Sequence, residues 1–366
     1  QPLIHGEGLV GAREHLAHCG AEDIGHVLPA IVLGQVERRP AAFAHLVEGR
    51  LEALAAALTD QSVTHAQTAM PGRTHGQHAQ PVTFGYKTAI WLDEVRRHQI
   101  RMDEMRPRLL AGQFGGAVGT LAALGDQGFA VREKLMFNLE LEEPAITWHT
   151  SRDRLVEMVS NLAMIAGTCG KIANELFLMT KTELQEIEEP YPAGKVGSST
   201  MPHKRNPAIC ESICGLARTV RSGVSLAFET LVNENERDKI ALNTERELIV
   251  RVVCQTDAAL AKTVVLCEGL DVRAGNMRRN LDITKGLTLS EAVMMQLGEK
   301  LGRQTAHDIL HKACATAFKE DTTMKAALMQ IDTVTDALSE DEIDTLLDPE
   351  AYTGLAARMA RDVAEG

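Results

Sequence analysis

The sequence predicts an all-α protein organised around a bundle of long helices, and two observations carry that prediction. Aromatic residues make up only 4% of the chain while Ala, Leu, Met and Glu are plentiful. That balance favours helix over sheet. Apolar residues also recur at helical spacing over stretches that reach or exceed ~25 residues, a length typical of bundles and coiled coils. No strand-rich region and no internal repeat stands out.

At 366 residues the chain is too long for one ordinary core, so two or three domains are expected. Residues 1–44 carry recurrent Gly and His with short apolar runs, and are read as a partial N-terminal domain. The chain opens on Gln1 rather than Met, so residues are expected to precede it. From Leu46 a helical stripe begins (Leu46, Leu51, Leu54, Leu58) and stops at the turn signal Pro71-Gly72. A second stripe (Phe84, Ile90, Trp91, Val95, Met102, Met105, Leu109) runs to the glycine-rich stretch Gly112 to Gly119. Thr150 or Ser151 is placed to cap a third, expected from about Asp153 to Ile187 on Leu155, Val159, Leu162, Ile165, Ile172, Leu176, Met179 and Leu184. Two more follow at 208–232 and 244–268. Residues 45–272 therefore read as a central bundle of five long antiparallel helices, and 273–366 as a smaller helical domain. Wide apolar faces on such helices predict self-association.

The formal net charge is −12, which repels polyanions at long range and argues against nucleic acid as a partner. Cys19, Cys169, Cys210, Cys214, Cys254, Cys267 and Cys314 are dispersed, odd in number and form no CxxC. They read as reduced thiols, with the cytoplasm as default location. No uninterrupted apolar run of the ~18–20 residues needed to span a membrane is expected. His5, His15, His18 and His26 do not form a recognised metal-ligand set, so no metal is expected.

Chemistry concentrates in two stretches. Gly197-Ser198-Ser199-Thr200-Met201-Pro202-His203-Lys204-Arg205-Asn206-Pro207 lies between two helical patterns and is a loop by composition. The same composition also suits a plain solvated linker. Gly72-Arg73-Thr74-His75-Gly76-Gln77-His78-Ala79-Gln80-Pro81 is weaker alone, and equally fits a helix-start turn with a hydrogen-bonded histidine. Glu211, five residues after Asn206, would ordinarily be a solvated helix glutamate.

The first stretch resembles the signature loop of the aspartase/fumarase superfamily, whose members include fumarase, argininosuccinate lyase, adenylosuccinate lyase and carboxymuconate cycloisomerase. The resemblance extends over about residues 45–300. It implies a homotetramer with sites shared between subunits, a small dicarboxylate or succinyl substrate, and chemistry without a cofactor or metal. Ser198 then stands where the catalytic base removes a proton from the carbon beside a carboxylate, and Lys204 and Asn206 where that carboxylate binds. Proton loss there puts a second negative charge on the carboxylate, which a fixed ammonium and amide stabilise. A serine hydroxyl acts as a base only beside a cation and away from water, which a closing loop supplies.

The second stretch resembles the conserved THG region of adenylosuccinate lyases. The resemblance implies that His75 protonates a leaving nitrogen and that Thr74 helps hold a carboxylate. Glu211 matches the glutamate that pairs with that histidine, fixing its tautomer and raising its basicity. Cycloisomerases resemble the chain at Phe114-Gly115-Gly116-Ala117, Trp148-His149-Thr150 and Leu346-Leu347-Asp348-Pro349, but typically carry tryptophan in place of His75 and no glutamate at Glu211. The His75–Glu211 combination therefore implies a C–N lyase that releases fumarate, with a cycloisomerase-like intramolecular lyase and a non-catalytic helical oligomer as the alternatives.

Two departures stand beside the match. The superfamily's early Ser/Thr loop is not found before Leu46. The stretch Lys239 to Thr244 places Leu242 where adenylosuccinate lyases use a phosphate-binding serine, and Ser151 stands where they use glutamine. Among Arg152, Arg154, Arg237 and Arg246, the best candidates for substrate contact are Arg237 and Arg246. Lys285-Gly286-Leu287 fits either a loop near the site or a helix-capping turn.

Overall fold

The computed structural model describes residues 39–191, 200–201 and 203–366, with side chains from residue 45 onward. The expected N-terminal domain falls almost wholly outside these residues.

Among the described residues, five helices of 22 to 30 residues dominate: α1 (Arg39–Thr64), α2 (Phe84–Leu109), α4 (Asp153–Met179), α5 (Ala208–Glu229) and α6 (Lys239–Glu268). A shorter α3 (Gly128–Leu139) precedes α4. The chain ends in seven smaller helices, from α7 (Ala274–Leu281) through α8 (Ser290–Leu301), α9 (Arg303–Lys319), α10 (Met324–Met329), α11 (Asp332–Ala337) and α12 (Glu340–Leu346) to α13 (Ala356–Glu365). The helical class expected from the sequence is what the chain adopts.

Strands are few but were not expected. The hairpin β1 (Ala69–Thr74) and β2 (Gln77–Thr83) is antiparallel, and a two-residue pair joins β3 (Ile187–Glu188) to β4 (Asp271–Val272). The third long helix also ends at Met179 rather than near Ile187. Its chain turns away through Gln185, which has a left-handed φ of 51°.

Two compact units are defined by their internal contacts. The first draws on Gln1–Ala55, Glu94–Glu175 and Ala208–Leu266, the second on Ala56–Asp93, Leu176–Pro207 and Cys267–Gly366. In the first, the stripe predicted on α4 is buried at Val159, Leu162, Ile165 and Ile172. Over an 18-residue window α4 is apolar enough to cross a membrane by length and composition, but 56% of that window is buried within the protein, as suits a core helix. Helix α5 buries Cys210, Ile213, Ala217, Val220, Gly223 and Ala227, a 3-4 spacing that places them on one face. Small residues set close approach there. A Cβ at Gly170 would lie 2.7 Å from that of Ala217. In the second unit, α8 to α12 enclose their own core of Val293, Leu297, Ala306, Leu310, Ala313, Met324, Leu328 and Ile343.

One buried titratable group in the first unit gives a stability prediction. His98 is 4% exposed and its Nε2 lies 2.7 Å from Thr168 Oγ1. Thr168 donates its hydroxyl hydrogen to Glu94 Oε1 at 2.6 Å, so Nε2 of His98 carries the proton and donates. Burial, then Arg101, lowers the His98 pKa to about 4. The unfolded chain takes up a proton near the ordinary value of ~6.5, so stability is fully present above that pH and is lost as pH falls toward 4. Chemical denaturation should show His98→Gln losing up to about 2 kcal/mol less stability than the parent between pH 7 and pH 5. Equal slopes would show that His98 is not buried in its neutral form.

Candidate active site

In the second unit the candidate residues Thr74 and His75 stand on the β1–β2 hairpin. Thr74 pairs with Gln77, leaving His75-Gly76 as a two-residue turn. His75 has φ 52° and Gly76 φ 75°. Two consecutive left-handed residues match the right-handed twist of a hairpin, with glycine at the second place. The motif is therefore a hairpin tip, not the start of a helix. Thr74, His75, Gly76 and Gln77 are all exposed. Behind the tip the ladder shifts register between Pro71 and Arg73. A Cβ on Gly72 would sit 2.4 Å from the Gln80 carbonyl oxygen, which is why glycine is needed there. Burial, and then the charge of Arg73, lowers the pKa of His78, while Glu186 partly offsets both.

The signature loop is described only in part. Ser198, Ser199 and Gly197 lie outside the described residues. Lys204 and Asn206 are exposed, and the Lys204 N–H donates to the Met201 carbonyl at 2.9 Å. Arg205, between them, donates to Glu188 at 2.6 Å and lies 5.0 Å over the Tyr191 ring. Arg273 reaches the same Glu188 oxygen at 2.7 Å.

The two motifs meet on one short segment of the second unit. Arg73, two residues before His75, forks onto Glu186, with Nη1 to Oε2 at 3.0 Å and Nη2 to Oε1 at 2.5 Å. Arg205, between Lys204 and Asn206, binds Glu188. Neither glutamate stands out in the sequence. Their partners are 113 and 17 positions away, and no local pattern reveals the first.

The remaining candidates lie in the first unit, apart from the Lys285-Gly286 turn in the second. Glu211 is exposed in the first turn of α5. A carboxylate is favoured there by the unpaired N–H groups and dipole of the helix start. Arg237 donates to the Gly116 carbonyl at 3.0 Å and to His149 Nε2 at 2.9 Å. Burial, then Arg237 and Arg152, lowers the pKa of His149, which keeps its ring available as an acceptor. Arg246 is exposed. Arg152 is buried and forks onto Glu245 at 2.7 and 2.5 Å, and Arg154 lies 5.1 Å from the Trp148 ring. Arg152 is thus committed to a structural pair. Lys285 and Gly286 are both left-handed, and Lys285 Nζ binds Asp321 Oδ1 at 2.6 Å, which makes that turn a capping device. Among the described residues no three His, Cys, Asp or Glu side chains gather to hold a metal ion.

Comparison with known proteins adds to this geometry. The profile of a family described as "Lyase" matches residues 41–222, and that of "Adenylosuccinate lyase C-terminus" matches residues 286–363. The chain is 40% identical over 299 residues to an N-acetyl-S-(2-succino)cysteine lyase of Dickeya dadantii, covering 82% of this chain and 66% of that protein. It is 42% identical over 353 residues to a 3-carboxy-cis,cis-muconate cycloisomerase of Pseudomonas aeruginosa, covering 96% of this chain and 76% of that protein. The chain thus spans just under two thirds of the first relative's length. The fold matches the crystal structure of the 3-carboxy-cis,cis-muconate lactonizing enzyme from Pseudomonas putida with a TM-score of 0.84 at 41% identity, over 89% of this chain and 72% of that one. With these matches laid over a long-helix fold that carries the signature loop and the THG hairpin, the chain belongs to the fumarase/aspartase superfamily of lyases.

Proposed function

We propose that this protein catalyses β-elimination of a succinyl-amine adduct, breaking a C–N bond and releasing fumarate. Ser198 takes the proton beside the carboxylate, and Lys204 and Asn206 hold that carboxylate while charge builds on it. His75, with Glu211 as its partner, protonates the leaving nitrogen. Thr74, Arg237 and Arg246 contribute to substrate binding. The single observation that supports this most is the retention of His75 on a hairpin tip built to present it, together with Glu211 at a helix start. An amine is a poor leaving group without a proton, whereas a lactonising reaction can dispense with that acid. Leu242 in place of a phosphate-binding serine favours a substrate other than a nucleotide.

A second reading is favoured by the relative that acts on an S-(2-succino) compound. In it the same base and carboxylate site would expel a thiolate. One screen separates these readings. Fumarate is offered with a panel of amines and a panel of thiols, and its absorbance is followed in the addition direction. Consumption with amines supports the C–N reading, consumption with thiols alone replaces it, and consumption with neither contradicts both. We further propose a homotetramer with shared sites, supported by the exposure of Met164, Leu178, Leu226, Phe228 and Val265 on the long helices. Light scattering on the active sample should give a tetramer, and an active monomer would refute it.

A further inference from the structure

Beyond Arg73 the hairpin tip is exposed, and its only described pairing is the ladder between Thr74 and Gln77. A two-stranded hairpin is marginal alone, so the direction of the His75 ring must be set by whatever anchors the strands just behind it. Beside the hydrogen bond of 3.0 Å from Gln80 Nε2 to Glu291 Oε2, one such anchor is Glu186. Its side chain is 0% exposed and takes the fork from Arg73, and its Oε1 also accepts from Asn280 Nδ2 at 3.0 Å. The backbone of Glu186 is fixed as well. Its N–H donates to the Met179 carbonyl at 3.0 Å, and its own carbonyl accepts from the Arg273 N–H at 2.9 Å. Asn280 is fully buried on α7, and its Nδ2 also donates to the Leu184 carbonyl at 2.9 Å.

Burying a carboxylate and a guanidinium is a poor way to gain stability, because desolvation offsets much of their attraction. What the pair does supply is geometry. A planar fork on a carboxylate restrains both the distance and the plane of the arginine. Here the arginine is two residues from the proposed acid.

We propose that Glu186 is a positioning residue for His75, acting through Arg73 to fix the approach of the hairpin tip to the leaving group. This rests on the reading of His75 as the general acid. A misplacement of about 1 Å at a reacting centre costs roughly 10²-fold in rate, so loss of the fork should be visible in turnover while the protein stays folded.

The test uses a matched pair of substrates, 2-(4-nitroanilino)succinate and 2-(4-nitrophenylthio)succinate. They have nearly the same shape, but the electron-poor thiolate leaves without a proton and the anilide does not. Glu186→Gln keeps the volume of the side chain, and Arg73→Lys keeps the charge but removes the fork. Both variants should slow release from the nitrogen substrate about 10- to 100-fold through kcat, with KM little changed. Both should leave the sulfur substrate near the parent rate, with melting by circular dichroism confirming the fold. Equal slowing of both substrates, or of neither while His75→Ala slows the nitrogen substrate, overturns the positioning role and leaves the acid role standing. If His75→Ala itself spares the nitrogen substrate, the acid role falls and the positioning role with it.

Discussion

Ser198→Ala should still bind a succinyl dicarboxylate yet turn it over about 10²–10⁴-fold more slowly, the usual worth of a positioned base. The substitution removes one hydroxyl and leaves Lys204 and Asn206 to hold the carboxylate. Lys204→Ala should differ in kind. Its ammonium binds the ground-state carboxylate and also stabilises the doubly charged intermediate, so affinity and rate should drop together. Asn206→Ala should resemble a milder form of the same defect. Ser199→Ala is the internal control, with the same hydroxyl chemistry at the wrong position. Steady-state kinetics with a binding isotherm for each variant separates these outcomes. Turnover abolished by Ser199→Ala and retained by Ser198→Ala would move the base to the neighbouring residue.

His75→Trp should reduce C–N cleavage by about 10²–10⁴-fold. Tryptophan is the residue that carboxymuconate cycloisomerases typically carry there, so the substitution removes the acid while borrowing a side chain the fold tolerates elsewhere. The position adds a constraint of its own. His75 has a left-handed backbone, which histidine adopts more readily than a bulky aromatic residue does. His75→Asn, suited to that conformation but without a titrating proton, therefore serves as the companion variant. If both variants slow the reaction, the missing acid is responsible. If only tryptophan does, the hairpin has been disturbed and the acid role is wrong.

The long helices were legible because their apolar stripes have one physical cause. Leu155 is half-buried, while Val159, Leu162, Ile165, Ile172 and Leu176 repeat at helical spacing and are buried. Their ends were read less well: α1 stops at Thr64 rather than at Pro71-Gly72, α6 begins at Lys239 rather than at residue 244, and α4 was read too long. Leu184 continued the stripe, but the helix ends at Met179, and neither Gly nor Pro marks the place. The hairpin was not legible as strands. It lacks alternation and contains Pro71 and Pro81, residues that suit neither strand nor helix interiors. In the structure these prolines face one another beside the register shift, where ladder hydrogen bonds are already interrupted. The motifs of the site were visible by resemblance. What ties them together was not, because the Arg73–Glu186 pair spans 113 positions and an ion pair between distant residues leaves no local pattern. Arg152 shows the converse. It stood among the four arginines weighed for substrate contact, behind Arg237 and Arg246, and its buried fork onto Glu245 accounts for it.

In the proposed reaction a proton leaves the carbon beside a carboxylate while the neighbouring C–N bond breaks. Microscopic reversibility makes it visible in the addition direction. The protein is incubated in deuterium oxide with fumarate and the amine that consumes it, and the succinyl product is read by proton NMR. One deuteron is expected, placed stereospecifically on the carbon next to the new C–N bond, with this product forming about 10²–10⁴-fold more slowly in Ser198→Ala. Adduct carrying deuterium in both orientations, or adduct formed at the parent rate by Ser198→Ala, would contradict that reaction.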